Sequence, residues 1–195
     1  YSCQYSSIDD AVDLCCRVGP DSVVLAKVDL KDAFKHIPIH PGDWHMMGFI
    51  WPDESGAAMH YFSKVLSFGL RSAPSLFDRY ARCLPAFCRL EGFSGGLVRY
   101  VDDFLIVADS VDSCQADLSV LVDTCEEAGF NIQPAKVTSP CKVVEFLGIE
   151  VDTVQSILRI SDERMDEIRS ILSEWSGRRS CSKRQLLKLI GKLAF

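Results

Sequence analysis

Leu97-Val98-Arg99-Tyr100-Val101-Asp102-Asp103-Phe104-Leu105-Ile106-Val107 places two adjacent carboxylates between two apolar runs. Two such runs broken at the acids predict a β-hairpin with Asp102 and Asp103 at or near its tip. Burying the flanks while presenting paired acids is a poor way to build a core and a good way to hold a divalent metal. A second apolar run, Val23-Val24-Leu25-Ala26-Lys27-Val28-Asp29-Leu30, predicts a buried strand that ends in one more carboxylate. Three acids at the ends of two core strands can converge on one point. Mg²⁺ prefers hard oxygen ligands and takes one or two carboxylates beside phosphate oxygens. Two such ions ~3.5–4 Å apart activate an attacking oxygen and stabilise a leaving one, which is the chemistry of nucleotidyl transfer.

The other elements follow from caps, breakers and periodicity. Ser7 with Asp10 forms a capping box for a helix through about Arg17, stopped by Gly19-Pro20. A short helix or turn spans residues 33–37 and ends at Pro38. Residues 45–51 and 58–65 predict two strands around the turn Pro52-Asp53-Glu54-Ser55-Gly56. Ser72 is the expected N-cap of a helix over residues 73–88, with Pro74 in its first turn and a bend at Pro85. Leu118, Leu121, Val122 and Cys125 share one face of a helix over residues 113–128 that Gly129 stops. Residues 142–151 and 156–160 predict a further hairpin. Ser161 caps a helix with the stripe Met165, Ile168, Leu172 and Trp175, ended by Gly177, and Ser182 with Gln185 opens a last one. This order predicts an α+β architecture with a central antiparallel sheet packed on helices.

Composition sets bounds. The 195 residues are enough for one domain with a real core, and an apolar fraction of 48% fits an ordered globular chain. The net charge of −6 runs against the basic footprint of a nucleic-acid binder. Part of that charge is the acids themselves, which bound metal offsets. Local basic clusters remain at Arg178-Arg179, Lys183-Arg184 and Arg79 with Arg82. The nine cysteines include no C-x-x-C pair, which gives a zinc site little support and fits a reduced, intracellular protein. His36, His40, His45 and His60 show no ligand spacing on a helix. No apolar run approaches the roughly 18 residues of a membrane span, and no signal-peptide pattern opens the chain. The start without Met and the stop at Ala194-Phe195 inside a helical pattern read as a piece of a longer polyprotein.

Four segments in order resemble the motifs of a reverse transcriptase. They are Asp29-Leu30-Lys31-Asp32-Ala33-Phe34, Ser67-Phe68-Gly69-Leu70-Arg71-Ser72-Ala73-Pro74-Ser75-Leu76-Phe77, Tyr100-Val101-Asp102-Asp103 (a YVDD motif) and Phe146-Leu147-Gly148. The wording around Lys27-Val28-Asp29-Leu30, Leu70 to Pro74, Lys183 to Leu186 and Leu189 to Leu193 is similar to DIRS-type retrotransposons. Those elements pair a reverse transcriptase with a tyrosine recombinase. The resemblance implies a right-hand polymerase, with residues 1–160 as palm and partial fingers and residues 161–195 as the start of thumb or connection helices. It implies an RNA-directed DNA polymerase that extends a primer 3′ end on an RNA or DNA template, using dNTPs and Mg²⁺ or Mn²⁺. An RNase H module and a tyrosine recombinase module of the same element are the implied companions.

The resemblance also assigns roles. Asp29, Asp102 and Asp103 are metal ligands, with the Leu30 carbonyl completing the shell. Phe34 stands where reverse transcriptases carry an aromatic gate against a ribose 2′-hydroxyl; a plain core Phe is the alternative. Asp32 and Ala33 offer backbone N–H groups to the triphosphate. Phe68 and Gly69 lie beside the nucleotide, Phe68 standing where retroviral enzymes carry Gln. Arg71, Tyr100 and Val101 touch template or primer, and Phe146-Leu147-Gly148 forms the primer-grip turn. Lys136 matches a lysine proposed as general acid to the pyrophosphate. Arg71 and Lys136 read equally well as surface residues, Tyr100 as a packing ring and 146–148 as a simple hairpin. Two other functions compete: an RNA-dependent RNA polymerase, opposed by Phe34, and a decayed or domesticated scaffold that binds nucleic acid without catalysis.

Overall fold

The computed structural model describes residues 5–19 and 21–193; residues 1–4, Pro20, Ala194 and Phe195 lie outside the described residues. The capping box forms as expected, Asp10 accepting from the Ser7 N–H at 2.7 Å, and opens α1 (Ile8–Val18). The Gly19 N–H closes it onto the Cys15 carbonyl.

The main sheet has four antiparallel strands: β1 (Val24–Asp29), β4 (Gly96–Tyr100), β5 (Asp103–Ala108) and β6 (Thr138–Cys141), in the order β4-β5-β1-β6. Side chains alternate across it. On one face Val24, Ala26 and Val28 of β1 join Phe104, Ile106 and Ala108 of β5. Helices α2 (Ala73–Ala81), α3 (Leu84–Leu90) and α4 (Val111–Glu127) cover that face with Phe77, Leu84, Cys88, Leu118 and Leu121. On the other face Leu25, Leu105 and Val107 pack with Ala11 of α1 and with Val144, Phe146 and Val151. Both faces are covered, which is why the strands read as near-continuous apolar runs.

Asp117 of α4 pins the start of β4 by accepting from the Ser94 and Gly95 N–H groups, each at 2.8 Å. A Cβ on Gly95 would meet that carboxylate at 2.5 Å and the Val107 carbonyl at 2.8 Å, so only glycine fits there.

Several boundaries differ from expectation. Residues 45–47 do not open a strand. Pro41–Met47 is a 3₁₀ helix capped by His40, whose Nδ1 accepts from the Gly42 N–H, and β2 (Gly48–Pro52) pairs with β3 (Ala58–Phe62) only beyond it. The helix expected over residues 73–88 is two helices. Pro85 lacks the N–H that would continue α2, and the chain breaks at Arg82-Cys83. The Ser72 side chain makes no cap; instead its carbonyl accepts from the Ser75 hydroxyl. Ser110, three residues before the expected start, caps α4. Residues 142–151 are not one strand. Leu147 and Gly148 both take positive φ, 54° and 77°, and form the two-residue turn between β7 (Val143–Phe146) and β8 (Ile149–Asp152). With β9 (Ile157–Ile160) they make a separate three-stranded sheet. Helices α5 (Asp162–Ser176) and α6 (Lys183–Leu193) start at Ser161 and Ser182 as expected, but neither has a buried residue among the described ones.

Candidate active site

The expected hairpin forms with a two-residue loop: Tyr100 faces Asp103 across β4 and β5, and Val101-Asp102 is the turn. Val101 takes φ 53°. A positive φ at the first loop position gives the right-handed twist that joins strands tightly, at a steric cost for a β-branched residue. Asp29, the last residue of β1, stands directly opposite Asp103. The Leu30 N–H donates to the Asp102 carbonyl at 3.1 Å, tying the end of β1 to the acidic turn. The fold thus brings the three acids together.

Like charges face to face are unfavourable, and the surroundings record it. Burial pushes the Asp102 carboxyl above the usual carboxylate range, and repulsion from Asp103 and Asp29 adds to the rise. Burial raises Asp103 as well, and Asp29 adds to the rise while Lys27 opposes it. Two lysines offset the charge. Lys136 places its ammonium 3.2 and 3.1 Å from the two oxygens of Asp29, and Lys27 lies 3.2 Å from Asp103 Oδ1. That Oδ1 atom is buried yet makes no aligned hydrogen bond. Among the described residues no group of three or more His, Cys, Asp or Glu side chains is placed, as it stands, to hold a metal ion. The donor set nevertheless suits a hard divalent cation: three carboxylates stand against two ammonium groups.

Lys136 sits in a 3₁₀ turn (Pro134–Lys136) that the main chain locks to β1, since the Gln133 N–H donates to the Asp29 carbonyl and the Lys31 N–H to that of Asn131. His36 braces the same loop: Nε2 accepts from the Asn131 N–H at 3.1 Å and the ring packs on Phe130. The hydrogen bond to Asp29 raises the Lys136 ammonium above its ordinary range.

Phe34 is half-buried between Phe77 of α2, at 5.6 Å between ring centres, and Phe68, at 5.3 Å. Phe68 itself is largely exposed, and Gly69 takes φ 91° in the turn closed by the Leu70 N–H on Ser67. Phe34, Phe68 and Gly69 therefore share one region. Asp32 is spent on Lys35, at 2.8 Å, and Ala33 is buried in the core. Arg71 is exposed. The Tyr100 ring packs on Tyr5, 5.4 Å away. The turn Leu147-Gly148 sits beyond Phe146, which is fully buried on the Leu25 face; no hydrogen bond or ion pair joins it to the acids among the described residues.

Sequence reasoning missed three residues at this site. A signal existed for Lys27: it lies two positions before Asp29 on a strand, hence on the same face. Arg99 and Asp78 carried none. Arg99, opposite Phe104 on the helix-covered face, pairs with Asp78 of α2 and donates from Nη1 to the Val101 carbonyl at 3.1 Å.

A family model described as reverse transcriptase (RNA-dependent DNA polymerase) matches residues 4–151. The Gag-Pol polyprotein of avian reticuloendotheliosis virus is 32% identical over 149 residues, covering 75% of this chain and 13% of that protein. The Gag-Pol polyprotein of gibbon ape leukemia virus is 26% identical over 145 residues, covering 74% and 9%. The chain thus spans a small fraction of these relatives. Among solved structures, the foamy viral protease-reverse transcriptase in complex with RNA/DNA hybrid superposes with a TM-score of 0.65 at 22% identity, covering 87% of this chain and 20% of that one. Its counterpart with double-stranded DNA gives 0.64, at 22% identity, covering 87% and 32%.

Proposed function

Because the chain belongs to the reverse transcriptase (RNA-dependent DNA polymerase) family, we propose that it is the catalytic palm, with part of the fingers, of an RNA-directed DNA polymerase. It extends a primer 3′ end with dNTPs on an RNA or DNA template. The observation that carries this reading is the direct pairing of Asp29 with Asp103 beside the Asp102 turn. Asp29, Asp102, Asp103 and the Leu30 carbonyl would hold Mg²⁺ or Mn²⁺. The bound metal would lower the pKa of the primer hydroxyl and neutralise the departing pyrophosphate.

The chain's own residues do the rest. Lys136, with most of its side chain exposed, swings from Asp29 to the triphosphate and donates a proton to the leaving group. Its raised pKa keeps it charged until then. Phe34, held by Phe77, excludes a ribose 2′-hydroxyl, while Phe68 and Gly69 border the nucleotide. The Asp32 and Ala33 amides face the triphosphate. Arg71, Tyr100, Val101 and the turn Phe146-Leu147-Gly148 line the primer and template. Helices α5 and α6 begin the thumb or connection, with residues 1–160 forming the palm and partial fingers. The source is a retroelement of the DIRS type, acting inside the cell with RNase H and tyrosine recombinase modules.

The test is primer extension on an RNA template by the longest reading frame that carries this chain. Extension is expected with dNTPs and Mg²⁺ and not with NTPs, and Phe34→Ala admits NTPs. A folded, soluble wild-type protein that extends nothing contradicts the proposal and leaves a nucleic-acid-binding scaffold.

A further inference from the structure

Val101 and Asp102 form the loop that carries the acids, and the carbonyl of each is held by a donor from outside the loop. The Leu30 N–H holds that of Asp102, and the Arg99 guanidinium holds that of Val101. A β-branched residue at φ 53° persists only where its surroundings over-determine it. Leu30 acts on the second loop residue; on the first, the Val101 side chain packs against the core and its carbonyl is held by Arg99.

Arg99 is itself fixed. Its other terminal nitrogen is paired with Asp78 Oδ1, and Asp78 is 2% exposed on α2. Asp78 Oδ2 takes Arg82 at 2.6 Å, so both carboxylate oxygens are engaged. A planar guanidinium can serve a carboxylate and a carbonyl at once from a rigid fork, which an ammonium on a flexible stem cannot reproduce.

We infer that Arg99 is a positioning residue: anchored by Asp78, it clamps the Val101 carbonyl and so fixes where Asp102 and Asp103 present their oxygens. The clamp also links α2, whose Phe77 supports Phe34, to the acidic turn. The inference rests on the polymerase reading for its kinetic consequence, and on geometry alone for the clamp.

Arg99→Lys tests it in the longest reading frame that carries the chain. The ammonium keeps a cation beside Asp78 but releases Val101. The expected result is a melting temperature near wild type, an unchanged KM for dNTP, a kcat lower by about tenfold, and weaker Mn²⁺ binding in a spectroscopic titration. Val101→Gly removes the steric cost of the positive φ, so the same Arg99→Lys change costs several-fold less kcat in that background. Wild-type kcat and Mn²⁺ affinity in Arg99→Lys overturn the inference. So does a loss that follows the loss of fold in melting and is equal in both backgrounds, since Arg99 would then only balance Asp78. A wild-type protein that extends no primer removes the polymerase reading instead, and the Mn²⁺ titration then decides the clamp.

Discussion

β1 with β5 and β2 with β3 are both antiparallel pairs of apolar strands, yet the apolar residues of the first pair are buried to within a few per cent while every residue of β2 and β3 is exposed. Phe49, Ile50, Trp51, Met59, Tyr61 and Phe62 are as hydrophobic as Leu25, Val28, Phe104 and Ile106. The difference is what lies over them. Helices and a second sheet cover both faces of the first pair, whereas the second has Trp44 of the preceding 3₁₀ turn stacked on Phe62. Precision sits in the covered pair, which holds Asp29 and Asp103 in register beside the Asp102 turn. The hairpin contributes apolar surface without a core of its own.

The comparison breaks first in stability. Phe104→Ala removes a fully buried ring and costs about 3–5 kcal/mol in urea unfolding, whereas Trp51→Ala stays within about 0.5 kcal/mol. Equal losses would mean that the hairpin is packed after all.

Asp78→Asn leaves the largely buried Arg99 without its anion and costs about 3 kcal/mol near neutral pH. Burial works against the Asp78 carboxylate, but the Arg99 and Arg82 guanidinium groups hold it below the usual range. A depressed folded pKa gives stability that is complete above the unfolded value and lost as pH falls through the folded one. The gap between wild type and variant therefore closes below about pH 4. A gap that is constant with pH would contradict the pairing.

The smallest effect has the opposite sign. Asp102 is raised by burial and by its acidic neighbours, so its charged form opposes folding, and stability falls as pH climbs through the unfolded value towards the folded one. Asp102→Asn should melt about 2 °C higher than wild type at pH 7 without divalent metal, with the gap vanishing in acid. A lower melting temperature would show that the carboxylate is needed by the fold.

What the sequence displayed and what it hid have physical causes. The acidic hairpin and Asp29 were legible because both faces of their strands are covered, which writes a long apolar run with a break at each acid. The capping boxes at Ser7 and Ser182 were legible because they are local. β6 was not: it is a four-residue edge strand containing Pro140, which an edge tolerates and a pattern search rejects. The exposure of β2 and β3 was hidden because alternation says that a strand exists and nothing about what covers it. Arg99 and Asp78 are 21 positions apart on a strand and a helix, and only the packing of α2 on the sheet joins them.

The central claim is that β1 and the turn assemble one catalytic centre from three acids. The direct measurement is Mg²⁺-dependent primer extension by Asp29→Asn, Asp102→Asn and Asp103→Asn, each beside wild type and each checked for folding. The account predicts that every folded variant loses at least about a thousandfold in kcat. Near-wild-type extension by Asp29→Asn would contradict it, because the acid contributed by β1 would then stand outside the centre.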